Sequence, residues 1–350
     1  MKNPLFAARL LATLTYCVLI KVCVVPVHAT LANRWSFNNT AGNAPVGTTM
    51  TDSVGSTVAT VRGNGSTFTG TGLTIPGGTL GNQTAAAIAG YVDLPNGIMS
   101  SKNNLSIEIW ASPLNSLANA RMFDFGRVAS AGSGGGAAGE IIDTATAPGT
   151  QTPLDAIYVN FCVTTIANQR MKAWNNGVAQ TVVDTALATT AGTMYHYLFT
   201  FEDGVGTYPT TGGRMSWYRN GVLAATADVN FRLRDIEDVN NWLGRSQFSA
   251  DNLANATYSE FRLYDHVLTS AEVTANIAAG PDSIVAPPQP VVAPTPNHLW
   301  TFTEQASSSV ASGKTFTDSI GGKVMTLRGN GGTLSGTAVV LPGSTTGNAG

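Results

Sequence analysis

The sequence predicts an all-β protein, a two-sheet antiparallel β-sandwich with one short helix near the end of its main domain. Three observations carry this reading. Charged residues make up only 11% of the 350, against about a quarter in ordinary globular chains, and Gly, Thr, Ala, Asn and Ser fill the gap. That mixture suits strands joined by many turns and does not suit long helices. Alternating apolar segments recur at short spacing, and one late segment carries helix signals.

The elements follow in chain order. "NLSIEIWAS" (104–112) alternates Leu105, Ile107 and Ile109 with Ser106, Glu108 and Trp110. "MKAWNNGVAQTVV" (171–183) reads as a hairpin turning at Asn176-Gly177. "YHYLFTFED" (195–203) puts Tyr195, Tyr197, Phe199 and Phe201 on one face and His196, Leu198, Thr200 and Glu202 on the other. "RMSWYRNGVLAATAD" (214–228) is a second hairpin, because Asn220-Gly221 fits a type I′ turn. "ATYSEFRLYDHVL" (256–268) is a further strand. In "TSAEVTANIAAGP" Thr269 and Glu272 form a capping box, and Gly280-Pro281 ends the helix.

The first 29 residues have a basic start (Lys2, Arg9), an apolar run and "VHA" where signal peptidase cuts. This pattern predicts a secretory signal, and Lys21 argues against a spanning helix. Cys17 and Cys23 would leave with it, so the mature chain would keep Cys162 alone and form no internal disulfide. A secreted protein or one displayed at the cell surface is expected, with no membrane insertion after signal removal. Net charge is −2 and no basic stripe exists, which makes nucleic acid an unsuitable partner.

The chain repeats itself. "TDSVGSTVATVRGNGSTFTG" (51–70) returns as "TDSIGGKVMTLRGNGGTLSG" (317–336), with twelve of twenty positions identical. Upstream "NRWSFNN" (33–39) matches "NHLWTFTE" (297–304), and downstream "GLTIPGG" (72–78) resembles "AVVLPGS" (338–344). "PDSIVAPPQPVVAPTPNH" between the copies holds six prolines and reads as a stiff spacer. The expected organisation is a signal at 1–29, a complete domain at 31–280, a linker at 281–297 and an incomplete second repeat at 298–350. The natural chain is then expected to continue for roughly another 200 residues, one domain's worth.

The ordered blocks resemble a known family. "AGYVDLPNGIMSSKNNLSIEIWASP" (89–113), "YHYLFTFED", "MSWYRNGVLAA" and "NWLGRSQFSADNLANATYSEFRLYDHVLTSAEV" (241–273) are similar, in this order, to segments of laminin G-like (LamG), concanavalin A-like domains. The resemblance implies a two-sheet jelly roll with a concave face that binds glycans or proteins, often with Ca²⁺. Ca²⁺ takes six to eight oxygens, with Asp and Glu leading. Asp52, Asp93, Asp124, Asp203 and Glu260 are the candidate carboxylates, of which Asp52, Asp124, Asp203 and Glu260 are carried as metal candidates. The family's last-strand Asp falls on Ser259. No D-x-D-x-D loop exists, and a turn-capping Asp is the plainer reading of "TDSVG".

Sugars stack their C–H faces on aromatic rings. Trp174, Tyr218 and Trp242 are the candidate ligand-binding residues, and Trp174, beside a turn, is the one expected to be exposed. Trp35 and Trp110 are expected in the core. Some glycoside hydrolases share this fold and need two facing carboxylates. Here Glu108 stands alone in its strand, Asp235 and Glu237 read as loop charge, and His196, His266 and Cys162 form no triad. No catalysis is read. The expectation is a non-catalytic carbohydrate-binding module in a longer multi-repeat surface protein. A structural or adhesive repeat without glycan binding, and a diverged glycosidase, are the alternatives.

Overall fold

A computed structural model describes residues 31–78, 88–129, 137–141, 153–164, 168–176, 178–248, 250–284 and 296–342. The signal expected at 1–29, residues 285–295 of the spacer and Gly177 lie outside the described residues. The chain divides into two compact units between Pro288 and Gln289.

Two antiparallel sheets form the first unit. One runs in the order β15 (Val222–Val229), β14 (Gly213–Arg219), β13 (Tyr195–Asp203), β8 (Leu105–Pro113), β17 (Leu253–Tyr264), β6 (Leu73–Gly78), β5 (Thr67–Phe68), β2 (Gly42–Asn43). β1 (Leu31–Trp35) pairs with the second half of β17, beyond the stretch that pairs with β6. The other runs β12 (Thr181–Thr185), β11 (Gln169–Trp174), β10 (Pro153–Asn160), β9 (Arg121–Val128), β16 (Asn240–Leu243), β7 (Tyr91–Leu94), β4 (Val58–Arg62), β3 (Thr49–Thr51). The central strands pair across long separations, β8 with β13 and β17, and β16 with β7 and β9, so each sheet needs segments from far apart in the unit to close.

The core lies between the sheets and follows the period of two. Ile107 and Ile109 of β8, Tyr197, Phe199 and Phe201 of β13, Phe123 and Phe125 of β9, and Phe261 of β17 fill it. Trp35 and Trp217 are 1% exposed there. Trp110 differs from the sequence expectation. It is buried, yet it points away from this core, against His196 at 4.8 Å and under the Arg262 guanidinium at 4.5 Å. Its neighbours Ile109 and Ala111 take the inward positions, so alternation sends Trp110 outward.

α1 (Ser270–Ala279) covers that outer face. Thr269 and Glu272 make the capping box, and Gly280 ends the helix at φ 76°. Its Val273 packs on Leu198, Tyr264 and Leu268. The Asn220-Gly221 turn has φ of 50° and 77°, the positive pair a type I′ turn requires. The β11–β12 hairpin is wider than its Asn-Gly dipeptide suggests, since the strands stop at Trp174 and Thr181. Asp235 closes a 3₁₀ turn at Leu233–Asp235 by accepting the Arg232 N–H, and Glu237 pairs with Arg127.

The second unit is small. β18 (Ser307–Val310), β21 (Gly332–Leu334) and β22 (Val339–Val340) form one sheet, and β19 (Thr315–Thr317) with β20 (Val324–Thr326) another. A groove of about 440 Å³ lined by Phe302, Phe316, Leu327, Val339 and Leu341 opens between its hairpins.

Candidate functional site

The eight-stranded sheet turns one face to the core and the other away from it. Strand register sets a row across the outer face: Thr60, Asp93, Trp242, Asp124, Tyr158, Lys172, Val182. Their chain neighbours Val61, Val92, Leu243, Phe123, Ile157 and Met171 are core residues. Alternation thus presents two aromatic rings, two carboxylates and a lysine in one line, on strands whose inner side is locked by packing.

An aromatic cluster stands at the β10–β11 end. Tyr158 lies 6.2 Å from Trp174 and 6.3 Å from Phe248, both edge-on, and Trp174 lies 5.2 Å from Phe248. The Arg121 guanidinium covers the Tyr158 ring at 3.7 Å. It is held by Asp124 at 3.1 Å and Asp251 at 2.5 Å. Lys172 Nζ sits 5.0 Å over Trp174 and 4.9 Å over Phe248. Burial, then the nearby Arg121 and Arg170 charges, pull the Lys172 amine below its ordinary range. Burial pushes the Tyr158 phenol up to about 12 despite Arg121.

A second cluster stands two strands away. Tyr91 and Trp242 meet edge-on at 5.8 Å, and the Arg245 guanidinium lies 4.7 Å from the first ring and 4.3 Å from the second. Beside them burial raises Asp93 to about 6, against the Arg62 guanidinium that contacts it at 3.2 Å. Burial also raises Asp124, which accepts hydrogen bonds from Gln247 N and Nε2 at 3.1 and 2.9 Å.

The structure brings two of the sequence-chosen aromatics onto this face and leaves the third elsewhere. Trp174 and Trp242 are three strands apart on it. Trp174 is not the exposed ring that its place beside a turn suggests, because Tyr158 and Phe248 enclose it and leave 6% exposed. Trp242 is fully buried under Arg245. Tyr218 belongs to the opposite sheet and packs with the α1 cluster.

The four metal candidates do not converge. Asp52 accepts from Arg34 N, Val54 N, Asn33 Nδ2 and Thr57 Oγ1. Burial acts upward on its pKa, but the Arg34 and Val54 amides prevail and hold it below the usual carboxylate range. Asp124 is spent on Arg121 and Gln247. Asp203 pairs with Arg232 at 2.7 Å. Glu260 pairs with Arg34 at 2.7 Å and with Arg262. Each carboxylate already answers a protein donor. No group of three or more His, Cys, Asp or Glu suited to a metal forms among the described residues. These residues do not fit a Ca²⁺ site.

Glu108, solitary in the sequence, becomes the hub of a buried network on the opposite sheet. His196 Nε2 lies 2.9 Å away, Tyr264 Oη 3.0 Å, Asn276 Nδ2 3.1 Å and Arg262 Nη1 3.2 Å. Asn276 belongs to α1, so the network pins the helix to the sheet. Sequence reasoning missed it, together with Arg121, Tyr158, Lys172, Arg245 and Phe248. The outward phase of "IYVNF" and "RMKAW" marked Tyr158 and Lys172, whereas Arg245 and Phe248 follow a strand end and carry no periodic signal.

No curated protein matches the chain in sequence. Among solved structures, domain 4 of an extracellular arabinanase from Geobacillus stearothermophilus, in complex with arabinotriose, is 17% identical. That match covers 71% of this chain and 98% of the other, with a TM-score of 0.46. A structure of botulinum neurotoxin type C, whose cell entry depends on two ganglioside molecules, is 12% identical. It covers 72% of this chain with a TM-score of 0.45, and this chain spans 51% of that one. A Trypanosoma rangeli sialidase bound to a difluorinated sugar acid is 14% identical, covering 69% of this chain and 31% of that one, with a TM-score of 0.42. The family comparison matches residues 86–274 to Laminin_G_3. Those residues hold β7 to β17 with both aromatic clusters. With more than half of its length matched, the chain belongs to this family of the concanavalin A-like lectin/glucanases superfamily.

Proposed function

We propose that the protein is a secreted, non-catalytic carbohydrate-binding module of a multi-repeat extracellular or surface protein, and that it binds glycan on the outer face of its eight-stranded sheet. One observation carries this reading. Lys172 and Phe248 stand partly exposed over the enclosed Tyr158 and Trp174 rings, so a charged side chain and an aromatic ring share a rigid face, the combination that stacks on sugar C–H groups and takes up hydroxyls. The family supplies context, since its fold serves lectins as well as glucanases. Glycan is favoured over a protein ligand by the mixed aromatic and polar lining. The duplicated opening segment supports the multi-repeat part of the proposal.

A glycan array read with and without EDTA tests it. Binding that survives EDTA and falls several-fold in Phe248→Ala supports the reading. Phe248 is the better probe because it is partly exposed, whereas Trp174 is enclosed. Silence across the array would leave the structural repeat as the better reading. Appearance of shorter products on incubation with β-glucans would instead favour a glycosidase.

A further inference from the structure

Three arginines are fully buried: Arg121, Arg245 and Arg262. Two of them have carboxylates. Arg121 takes Asp124 and Asp251, and Arg262 takes Glu108 and Glu260. Arg245 takes none among the described residues. Its Nη1 donates to Tyr91 Oη at 2.6 Å, and its Nε and Nη2 have no hydrogen-bond partner. Asp93, on the neighbouring strand, is spent on Arg62. Asp93 reaches Arg245 only through space, without an ion-pair contact, and a buried guanidinium so weakly compensated is costly to a fold. The unused edge is the Nε–Nη2 fork, whose two parallel N–H groups match the two oxygens of a carboxylate. The Trp242 indole N–H beside it is also buried without an acceptor. Lys172, further along the same face, likewise has cation–π contacts and, among the described residues, no ion-pair contact with a carboxylate; Asp251 and Asp124 act on it only through space. It stands three strands from Trp242, about 14 Å at the usual strand spacing.

We infer that the ligand of this face is an acidic glycan, with one sugar carboxylate held by the Arg245 fork and another, along the chain, by Lys172. The inference rests on the glycan-binding reading above and adds the chemical class. Lys172 is partly exposed and makes the first contact. Arg245 is closed off, so neighbouring side chains must shift before the fork is engaged, and binding is slow.

Titration calorimetry of the full chain tests it with a galacturonate oligosaccharide, the methyl ester of the same oligosaccharide, sialyllactose and lactose. The free acid should bind at least tenfold more tightly than its ester, with the gap narrowing as salt rises. Preference for galacturonate or for sialyllactose identifies the source of the carboxylate. Lys172→Gln should cost the acid several-fold more than it costs the ester. Arg245→Gln should remove the preference. If that variant does not fold, the acid–ester pair and Lys172→Gln decide. Equal affinity for acid and ester overturns the inference and leaves the glycan reading standing. No binding to any of the sugars sinks both.

Discussion

Residues 33–76 and 298–342 are built alike and buried differently. β2, β5 and β6 pair in the same order as β18, β21 and β22, and β3–β4 pair as β19–β20 do. Asp52 accepts from the N–H of Arg34 and Val54, and Asp318 from that of Leu299 and Ile320. Gly47 and Gly313 donate to Val61 and Leu327 in turn, each at 2.8 Å. The local apolar positions match as well: Met50 is 5% exposed and Phe316 4%. The divergence comes at the residues that face the rest of the sandwich. Ile75 is fully buried, while its counterpart Leu341 is 64% exposed. Trp35 is sealed by Phe261, and β1 pairs with β17, whereas Trp300 is only partly covered and its segment forms no strand. Hairpin pairing is therefore a property of these short segments, and burial is a property of what arrives more than a hundred residues later.

The largest way to break this comparison is to remove each copy. Deleting residues 31–48 should abolish folding of the first unit, since Trp35 and β1 close the nine-stranded sheet. Deleting 298–350 should leave its melting temperature unchanged. Limited proteolysis of the whole chain should cut within 281–350 and leave a resistant core ending near Gly280. A protected fragment spanning 298–342, with slow amide exchange, would show that the second segment is held as firmly as the first and break the comparison.

A single ring gives the next effect. Trp35→Ala should destabilise the first unit by about 3–5 kcal/mol in urea melts, the range for emptying a buried aromatic site. Trp300→Ala should change the whole-chain transition by less than about 0.5 kcal/mol, as partly covered positions do. Equal costs would mean that Trp300 is as well packed as Trp35.

The turn aspartates come third. Asp52→Ala strands buried donors and should cost about 1–3 kcal/mol. Its native pKa is depressed, so the stabilisation is present above the unfolded carboxylate pKa. It is lost as pH falls through the lower native value. Melts from pH 5 down to pH 2 should show the wild type converging on Asp52→Ala. Divergence at acid pH would contradict the assignment.

The smallest effect concerns Arg62, whose partner Asp93 lies outside the duplicated stretch. Asp93 titrates at about 6 in the fold, against 3.8 unperturbed. A raised carboxyl pKa means that stability is greatest below the unfolded value and is lost as pH rises through 6. Asp93→Asn should therefore stabilise the protein at pH 7 by about 1–2 kcal/mol, after discounting for partial exposure, with the gain vanishing near pH 4. A destabilised variant at pH 7 would show that the ion pair with Arg62 outweighs the burial of the charge.

The sequence by itself determined whatever depends on neighbours a few residues apart. Alternation in "YHYLFTFED" predicted which ring faces the core, because adjacent strand residues must point to opposite sides. Asn220-Gly221 and the Thr269–Glu272 box set a turn and a helix start through backbone geometry and local hydrogen bonds alone. The capping role of Asp52 was legible for the same reason. Tertiary structure decided how those faces meet. It enclosed Trp174 with Phe248, 74 positions away in the chain, and gave Glu108 four partners from β13, β17 and α1. It also sent Tyr218 to the sheet opposite Trp242 and left Arg245 buried without an ion-pair contact among the described residues. Alternation states that a side chain points outward. Only strand order states what covers it, and in these sheets strand order joins segments as far apart as Leu31 and Tyr264.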